Sequence, residues 1–102
     1  MTELGQPINE FRLTARLVSK DTIRYTPAGQ AVLECQLDYS GTVFEAGTER
    51  KVQIQILAIA IGQEVNTLDQ MAIGQLRNFQ GFMAHRSARQ KALVFHITHI
   101  SI

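Results

Sequence analysis

Apolar and polar residues alternate along much of this chain, and this repeat of two limits its possible folds more than any other feature. In residues 11–17 the apolar positions are Phe11, Leu13, Ala15 and Leu17, and polar residues lie between them. The same alternation recurs in residues 31–39 and in residues 52–56, after which the third run becomes wholly apolar through Ile61. Because successive side chains of a strand point to opposite faces, the runs predict strands with one buried and one solvated face.

One interval breaks the alternation and predicts a helix. Within residues 62–74, Val65, Leu68, Met71 and Ala72 have the spacing of one helical face, and Gly74 is a suitable stop. Two further strand patterns follow at residues 76–84 and 92–102. Turns are predicted at residues 26–29, where proline and glycine suit a tight reversal, and at residues 40–48, which contain two glycines.

The order strand, strand, strand, helix, strand, strand predicts an all-β fold, the five-stranded Greek-key OB-fold barrel with one short helix between strands 3 and 4. The length of 102 residues suits one domain, residues 1–102, in which residues 1–9 are the loose part. A small antiparallel sandwich is the alternative, since short strands with turns fit both architectures. In an OB-fold the loop after the first strand and the loop between the last two strands hold oligonucleotides or oligosaccharides. Here those loops are residues 20–30 and 85–91.

Charge is distributed unevenly along the chain. Residues 70–102 contain four Lys or Arg and no Asp or Glu, although the whole chain has ten basic and nine acidic residues. Three of the four cations lie in the polar segment at residues 85–91, His-Arg-Ser-Ala-Arg-Gln-Lys. Such a loop suits a polyanion, because neutralised phosphates release counterions without any base being read. The alternative is an ordinary solvated hairpin loop.

The candidate nucleic-acid-binding residues are cations that can follow a phosphate backbone and loop aromatics that can stack on bases. The cations are Arg24, Lys51, Arg86, Arg89 and Lys91, and the aromatics are Tyr25 and Phe44. The other aromatics, Phe11, Tyr39, Phe79, Phe82 and Phe95, lie on strand runs and are predicted for the core. With so few loop aromatics, charge should matter more than stacking.

Three further cationic residues have more than one interpretation. Arg12 and Arg16 share one face of the first strand, which can meet phosphate, solvent or a second subunit. Arg50 adjoins Lys51 but has the opposite parity, so the two side chains should point to different faces unless a bulge intervenes.

Catalytic, metal and membrane patterns are weak in this sequence. The single cysteine, Cys35, has apolar parity and is predicted to be a buried, inert thiol. The three histidines have no zinc spacing, and there is no glycine-rich phosphate loop or nucleophile elbow. We therefore expect a binding protein without enzyme activity, cofactor or metal. The first residues lack a signal-peptide pattern, and the longest apolar stretch, residues 56–61, is far short of the roughly 20 residues that span a bilayer. A cytoplasmic protein that does not enter a membrane is expected.

From about residue 9 to residue 102 the sequence resembles the bacterial primosomal replication protein N family, PriB. The resemblance rests on the order and spacing of several short segments. They are Arg-Tyr-Thr-Pro-Ala-Gly at residues 24–29, Cys-Gln-Leu at 35–37, Glu-Ala-Gly at 45–47 followed by Arg50, and Gly-Phe at 81–82 before the basic loop. The resemblance implies an OB-fold similar to that of single-stranded-DNA-binding proteins. Nucleic-acid contact is implied for Arg24, Arg86, Arg89 and Lys91.

The resemblance also implies a function and partners. Members of that family are homodimers that bind single-stranded DNA, help the PriA helicase and connect it to later primosome loading proteins, so that the replicative helicase is reloaded at stalled forks. Two positions depart from the pattern: Ser40 stands where some members have Arg, and Gln53 stands where some have a stacking Trp. By its place, Gln53 is one of the candidate nucleic-acid-binding residues. The alternative function is an OB-fold protein-interaction module that binds an acidic partner and whose DNA affinity is incidental.

Overall fold

The computed structural model describes residues 5–102, which form six strands and one helix. In chain order these elements are β1 (Phe11–Lys20), β2 (Arg24–Tyr25), β3 (Ala31–Glu45), β4 (Thr48–Ile61), α1 (Glu64–Gln70), β5 (Leu76–His85) and β6 (Leu93–Ser101). The prediction of an all-β fold with one short helix is confirmed. The helix lies between the fourth and fifth strands and not between the third and fourth, because the two-residue β2 forms within the first predicted loop.

Five of the strands close into a barrel, so the sandwich alternative is wrong. The strands follow the order β1-β5-β6-β4-β3, and β1 also pairs with β3. Strand β1 divides its length between two neighbours, with residues 11–16 pairing with β5 and residues 16–20 pairing with β3. It thereby joins the two ends of the sheet. The pair β4–β6 is parallel and the other pairs are antiparallel.

The apolar side chains on the inner faces of the strands fill the barrel, as the alternation predicts. Its most deeply buried large side chains are Leu17, Leu33, Leu37, Phe79 and Phe95. Each fully buried side chain of this size stabilises the fold by about 1.5–3 kcal/mol relative to an exposed one. The remaining strand aromatics are more peripheral: Phe11 packs edge-on against Phe95, whereas Phe82 is 38% exposed and stacks on His96. The core prediction for Phe82 is therefore wrong, because that side chain lies on the outside of the barrel.

Helix α1 packs against the barrel through Val65 and Leu68, and Met71 directly after it is also buried. Ala72 was predicted on the same face but lies beyond the end of the helix and is exposed. The Lys20 ammonium donates hydrogen bonds to the carbonyl oxygens of Asp69 and Met71. It thereby satisfies backbone acceptors that the end of a helix leaves without an internal partner.

Strands β3 and β4 form one long hairpin, and its turn lies within the predicted residues 40–48 but is only two residues long. Their pairing is continuous from Val32–Ile61 to Glu45–Thr48. Only Ala46 and Gly47 lie in the turn, with φ values of +53° and +76°, as a type I′ turn requires. Gly41 is part of β3, where a Cβ atom would lie 2.2 Å from the Tyr39 hydroxyl oxygen. This glycine makes room for the half-buried Tyr39 ring and does not turn the chain.

The segment before β1 is partly fixed to the barrel. Of the residues 1–9 predicted as loose, residues 1–4 lie outside the described residues. The Asn9 side chain donates a hydrogen bond to the Met83 carbonyl oxygen at 2.7 Å and accepts one from the Met83 N–H at 3.1 Å. Among residues 5–102, no helix combines the length and apolar character needed to cross a bilayer.

Candidate nucleic-acid interface

Strands β3 and β4 present a shared surface to solvent, which we call the outer β3–β4 face. Since their pairing has no register shift, alternate residues and their cross-strand partners share this face. On β3 it comprises the even-numbered residues 32–44, of which Val32 is buried, and on β4 the odd-numbered residues 49–61. Lys51 lies opposite Thr42, Gln53 lies opposite Ser40, and all four side chains are exposed. Phe44 lies near the hairpin tip on the same face and is 76% exposed.

Strand β2 adds Arg24 to this face. A tight turn folds β2 back onto β3: the Gly29 N–H donates to the Thr26 carbonyl oxygen at 2.8 Å, and the Thr26 hydroxyl accepts from the Gln30 N–H at 3.1 Å. Arg24 is then the partner of Val32, on the outer β3–β4 face. Tyr25 pairs with Ala31, so it points to the opposite side of β2, where it is 69% exposed.

The basic loop between β5 and β6 has its own internal hydrogen bonds. The Arg86 N–H donates to the Ala92 carbonyl oxygen at 2.8 Å, which closes the base of the loop. The Ser87 hydroxyl accepts from the N–H groups of Arg89 and Gln90. The side chains of Arg89 and Lys91 are exposed, and within residues 5–102 neither makes an ion pair.

The two predicted binding loops meet at Glu34. Its carboxylate accepts a hydrogen bond from Arg24 Nη2 at 2.8 Å, and Arg86 Nη2 lies 3.1 Å from each of its oxygens. The Glu34 side chain is 15% exposed, whereas those of Arg24 and Arg86 are 58% and 38% exposed. Burial by itself raises the pKa of Glu34, but the hydrogen bonds and charges of the two arginines outweigh it and hold that pKa below its ordinary value. The carboxylate therefore stays ionised, and both guanidinium groups are fixed beside β3.

The structure thus divides the predicted site residues into groups. Arg24 and Arg86 come together at Glu34, and Lys51, Gln53 and Phe44 share the outer β3–β4 face towards the hairpin tip. Arg89 and Lys91 extend from the basic loop, and Tyr25 points away from Arg24. Sequence reasoning missed Glu34, since an acidic residue on the polar parity of a strand carries no sign of its partners.

Other cations have structural partners outside this face. Arg50, of opposite parity to Lys51 as predicted, pairs with Glu45 near the hairpin turn. Arg16 donates a hydrogen bond to the Gly74 carbonyl oxygen at 2.9 Å, which connects β1 to the segment after α1. The part of the chain that the structure describes holds no group of three or more His, Cys, Asp or Glu with the geometry of a metal site.

Comparison with known proteins identifies relatives of two kinds. A family model described as another single-strand binding protein family matches residues 9–99. The replication restart protein PriB of Bordetella pertussis is 36% identical over 77 residues, which are 76% of this chain and 72% of that protein. The match to the family model includes the segments that carry the candidate interface.

Solved structures show the same barrel. The protein PriB from Ralstonia solanacearum superposes with a TM-score of 0.85 at 41% identity, over 93% of this chain and 97% of that one. The single-stranded DNA binding protein from Thermus aquaticus superposes with a TM-score of 0.71 at 24% identity, over 92% of this chain and 49% of that one. The second likeness concerns the fold alone. The closed barrel with one short helix is that of these OB-fold proteins.

Proposed function

The chain belongs to the PriB family of single-strand binding proteins, and from this we propose that it binds single-stranded DNA and acts in the restart of DNA replication. The observation that carries the proposal is the meeting of Arg24 and Arg86 beside β3. These two residues are far apart in the chain, yet one surface presents both. On the same surface, Lys51 and Gln53 continue the polar path along the hairpin.

We infer that binding is mainly electrostatic. Guanidinium and ammonium groups neutralise successive phosphates, and the counterions released from the strand favour association regardless of base sequence. The exposed Arg89 and Lys91 extend the cationic path beyond Arg86. Among the aromatics, Phe44 lies on the outer β3–β4 face and can offer a ring to a base, whereas Tyr25 can do so only from the other side of β2. Stacking therefore contributes at few positions.

The finer features of the proposal concern assembly, partners and topology. We propose a homodimer in the cytoplasm that has no enzyme activity and acts with the PriA helicase and the later primosome loading proteins, as members of the family do. The strand connections are proposed to be those of a Greek key.

Strand β1 supports the proposed dimer. Opposite β5, its edge at residues 11–15 has no partner strand within residues 5–102. A second β1 can pair there and continue the sheet across a twofold axis.

A salt titration with labelled single-stranded oligonucleotides tests the DNA-binding proposal. If about four or five phosphates are neutralised, log affinity should fall against log salt with a slope of roughly −3 to −3.5, from about 0.7 per contact. Replacing Arg86, Arg89 and Lys91 together by Ala should flatten the slope by about two units. An unchanged slope in a folded triple variant would show that the basic loop is only a solvated hairpin.

Adjacent residues of β4 provide a matched control for the position of the interface. Lys51 and Arg50 are neighbours on opposite faces, and both are exposed. Lys51→Ala and Arg50→Ala remove the same charge, but only Lys51→Ala should weaken binding substantially and flatten the salt slope by about 0.7. Equal losses of affinity in the two variants would show that binding depends on the net charge of the protein and not on the outer β3–β4 face.

The length of the oligonucleotide tests the alternative function. Binding that is independent of this length would favour the protein-interaction module that binds an acidic partner.

A further inference from the structure

Glu34 occupies an unusual position among the charges of the proposed interface. Within residues 5–102 it is the only carboxylate that forms ion pairs with two arginines, and these come from two separate loops. Its oxygens lie 2.8 Å from Arg24 Nη2 and 3.1 Å from Arg86 Nη2. One negative and two positive charges thus meet at a point where phosphate binding is proposed.

A carboxylate and a phosphate compete for the same groups of an arginine. Both present anionic oxygens to the planar guanidinium, and an N–H bond that one of them holds is not available to the other. The Glu34 carboxylate is largely enclosed, while the two guanidinium groups remain substantially exposed to an incoming ligand. A phosphate must therefore displace the carboxylate from these groups or bind their free N–H bonds beside its negative charge. In either case the carboxylate weakens the binding of the phosphate.

We propose that Glu34 is an internal competitor for the phosphate groups of single-stranded DNA and thereby sets the affinity of the interface. The inference rests on the proposed function. In the free protein the carboxylate occupies Arg24 and Arg86 and holds both loops against β3. In the complex, phosphates of the strand take over these two arginines, and part of the binding free energy is used to displace Glu34.

The variant Glu34→Gln tests the proposal, because the amide keeps the shape and one acceptor oxygen but has no charge. We expect it to bind a labelled oligothymidylate about two- to thirtyfold more tightly at low salt, the range that corresponds to two ion pairs whose arginines are partly exposed. Its salt slope should stay close to that of the wild type, because the same two arginines meet phosphates in both complexes. Thermal unfolding should show that the variant remains folded.

Glu10→Gln is the matched control. It makes the same change in net charge at an exposed residue that pairs with no arginine within residues 5–102. It should alter affinity much less than Glu34→Gln. In an Arg24→Ala, Arg86→Ala background, Glu34→Gln should have no more effect than Glu10→Gln.

Three outcomes would overturn the proposal. Weaker binding by Glu34→Gln would show that the carboxylate positions the arginines and does not compete. Equal gains in affinity from Glu34→Gln and Glu10→Gln would show that the effect comes from the change in net charge and not from the position of Glu34. A wild-type protein that binds no oligonucleotide would overturn the proposed function together with the competitor. The contact of Glu34 with the arginines can then still be tested: an NMR titration of the free protein should give a lower pKa for the Glu34 carboxyl in the wild type than in the Arg24→Ala, Arg86→Ala variant.

Discussion

Cys35 and Glu34 are neighbours in β3 but have opposite environments, because successive strand residues point to opposite faces. Cys35 is 3% exposed in the core, where burial and then the charge of Glu34 raise the pKa of its thiol to about 12. The native protein should not react with a thiol reagent at neutral pH, and unfolding in denaturant should make Cys35 reactive. Rapid modification of the native protein would contradict its place in the core.

The same pKa has a consequence for stability. The unfolded thiol ionises from about pH 8.5, whereas the folded thiol stays protonated until about pH 12. The unfolded state therefore loses its proton first, and the contribution of Cys35 to the free energy of unfolding is full below that range and declines as pH rises through it. Urea denaturation at several pH values between neutral pH and pH 10 should show the free energy of unfolding declining as pH rises. The decline should be smaller in the Cys35→Ala variant.

Gln53 lies on the outer β3–β4 face, where a stacking aromatic would meet a bound base. Gln53→Trp should tighten single-stranded DNA binding by an amount approaching 1–3 kcal/mol, the contribution of one stacked base. Fluorescence titration measures the gain, and quenching of the new indole by the oligonucleotide would locate the contact. No gain in a variant of unchanged thermal stability would count against this part of the face as a DNA groove.

The identities of the candidate residues could be predicted from charge and loop position, but their arrangement could not. Arg24 and Arg86 were both predicted as binding residues, while the carboxylate that joins them was not. Glu34 is 52 residues before Arg86 in the chain, and the sequence pattern shows only that it lies on a polar strand face. The partner of such a residue depends on how β2 and the β5–β6 loop pack over β3, which is a property of the closed barrel.

At the scale of elements, periodicity predicted the strands well and their ends poorly. Alternation identified β1, β3, β4, β5 and β6, because one face of each strand packs into a single core. Glycine was a less reliable signal. Gly41 was assigned to a turn, although it is a strand residue beneath Tyr39, and the real turn contains only Ala46 and Gly47. Glycine occurs both in tight turns and at crowded strand positions, so the presence of a glycine does not by itself distinguish a turn from a strand.

The hairpin turn allows a prediction about stability. Ala46 has a φ of +53°, a left-handed conformation that costs an L-residue roughly 1–2 kcal/mol. Asparagine adopts this conformation more readily, and Asn-Gly is the preferred pair for a type I′ turn. Ala46→Asn should therefore raise the free energy of unfolding by up to about 1 kcal/mol.

Ala28 provides a control for this substitution, since it also lies in a turn but does not have a positive φ. Ala28→Asn should give no comparable gain in chemical denaturation. If the two variants were equally stable, the strain at Ala46 would not contribute to the free energy of unfolding.

At the scale of the whole molecule, the barrel closes at one end of β1 and leaves the other end open. Residues 16–20 complete the barrel through β3, whereas residues 11–15 pair with β5 on one side and, within residues 5–102, with no strand on the other. An unpaired strand edge exposes N–H and C=O groups that another strand can satisfy. Two copies of β1 related by a twofold axis are antiparallel, so each can complete the edge of the other without a change in fold.

We therefore predict a dimer that brings two interfaces into one particle. Once one interface holds a strand, the second acts at a high effective concentration, so oligonucleotides long enough to reach both should bind disproportionately better than short ones. Sedimentation at micromolar concentration should give about twice the single-chain mass of 11.4 kDa. Thr14→Pro tests the edge: the Leu17 N–H donates to the Gln75 carbonyl oxygen on the β5 side, so alternation directs the N–H of the exposed Thr14 to the free edge, where proline removes it. If that variant is folded and monomeric, it should still bind short oligonucleotides but lose the additional affinity for long ones. A wild-type mass near 11.4 kDa at every concentration would exclude the dimer. Any tighter binding of long oligonucleotides would then require a binding surface on one chain that is longer than the proposed interface.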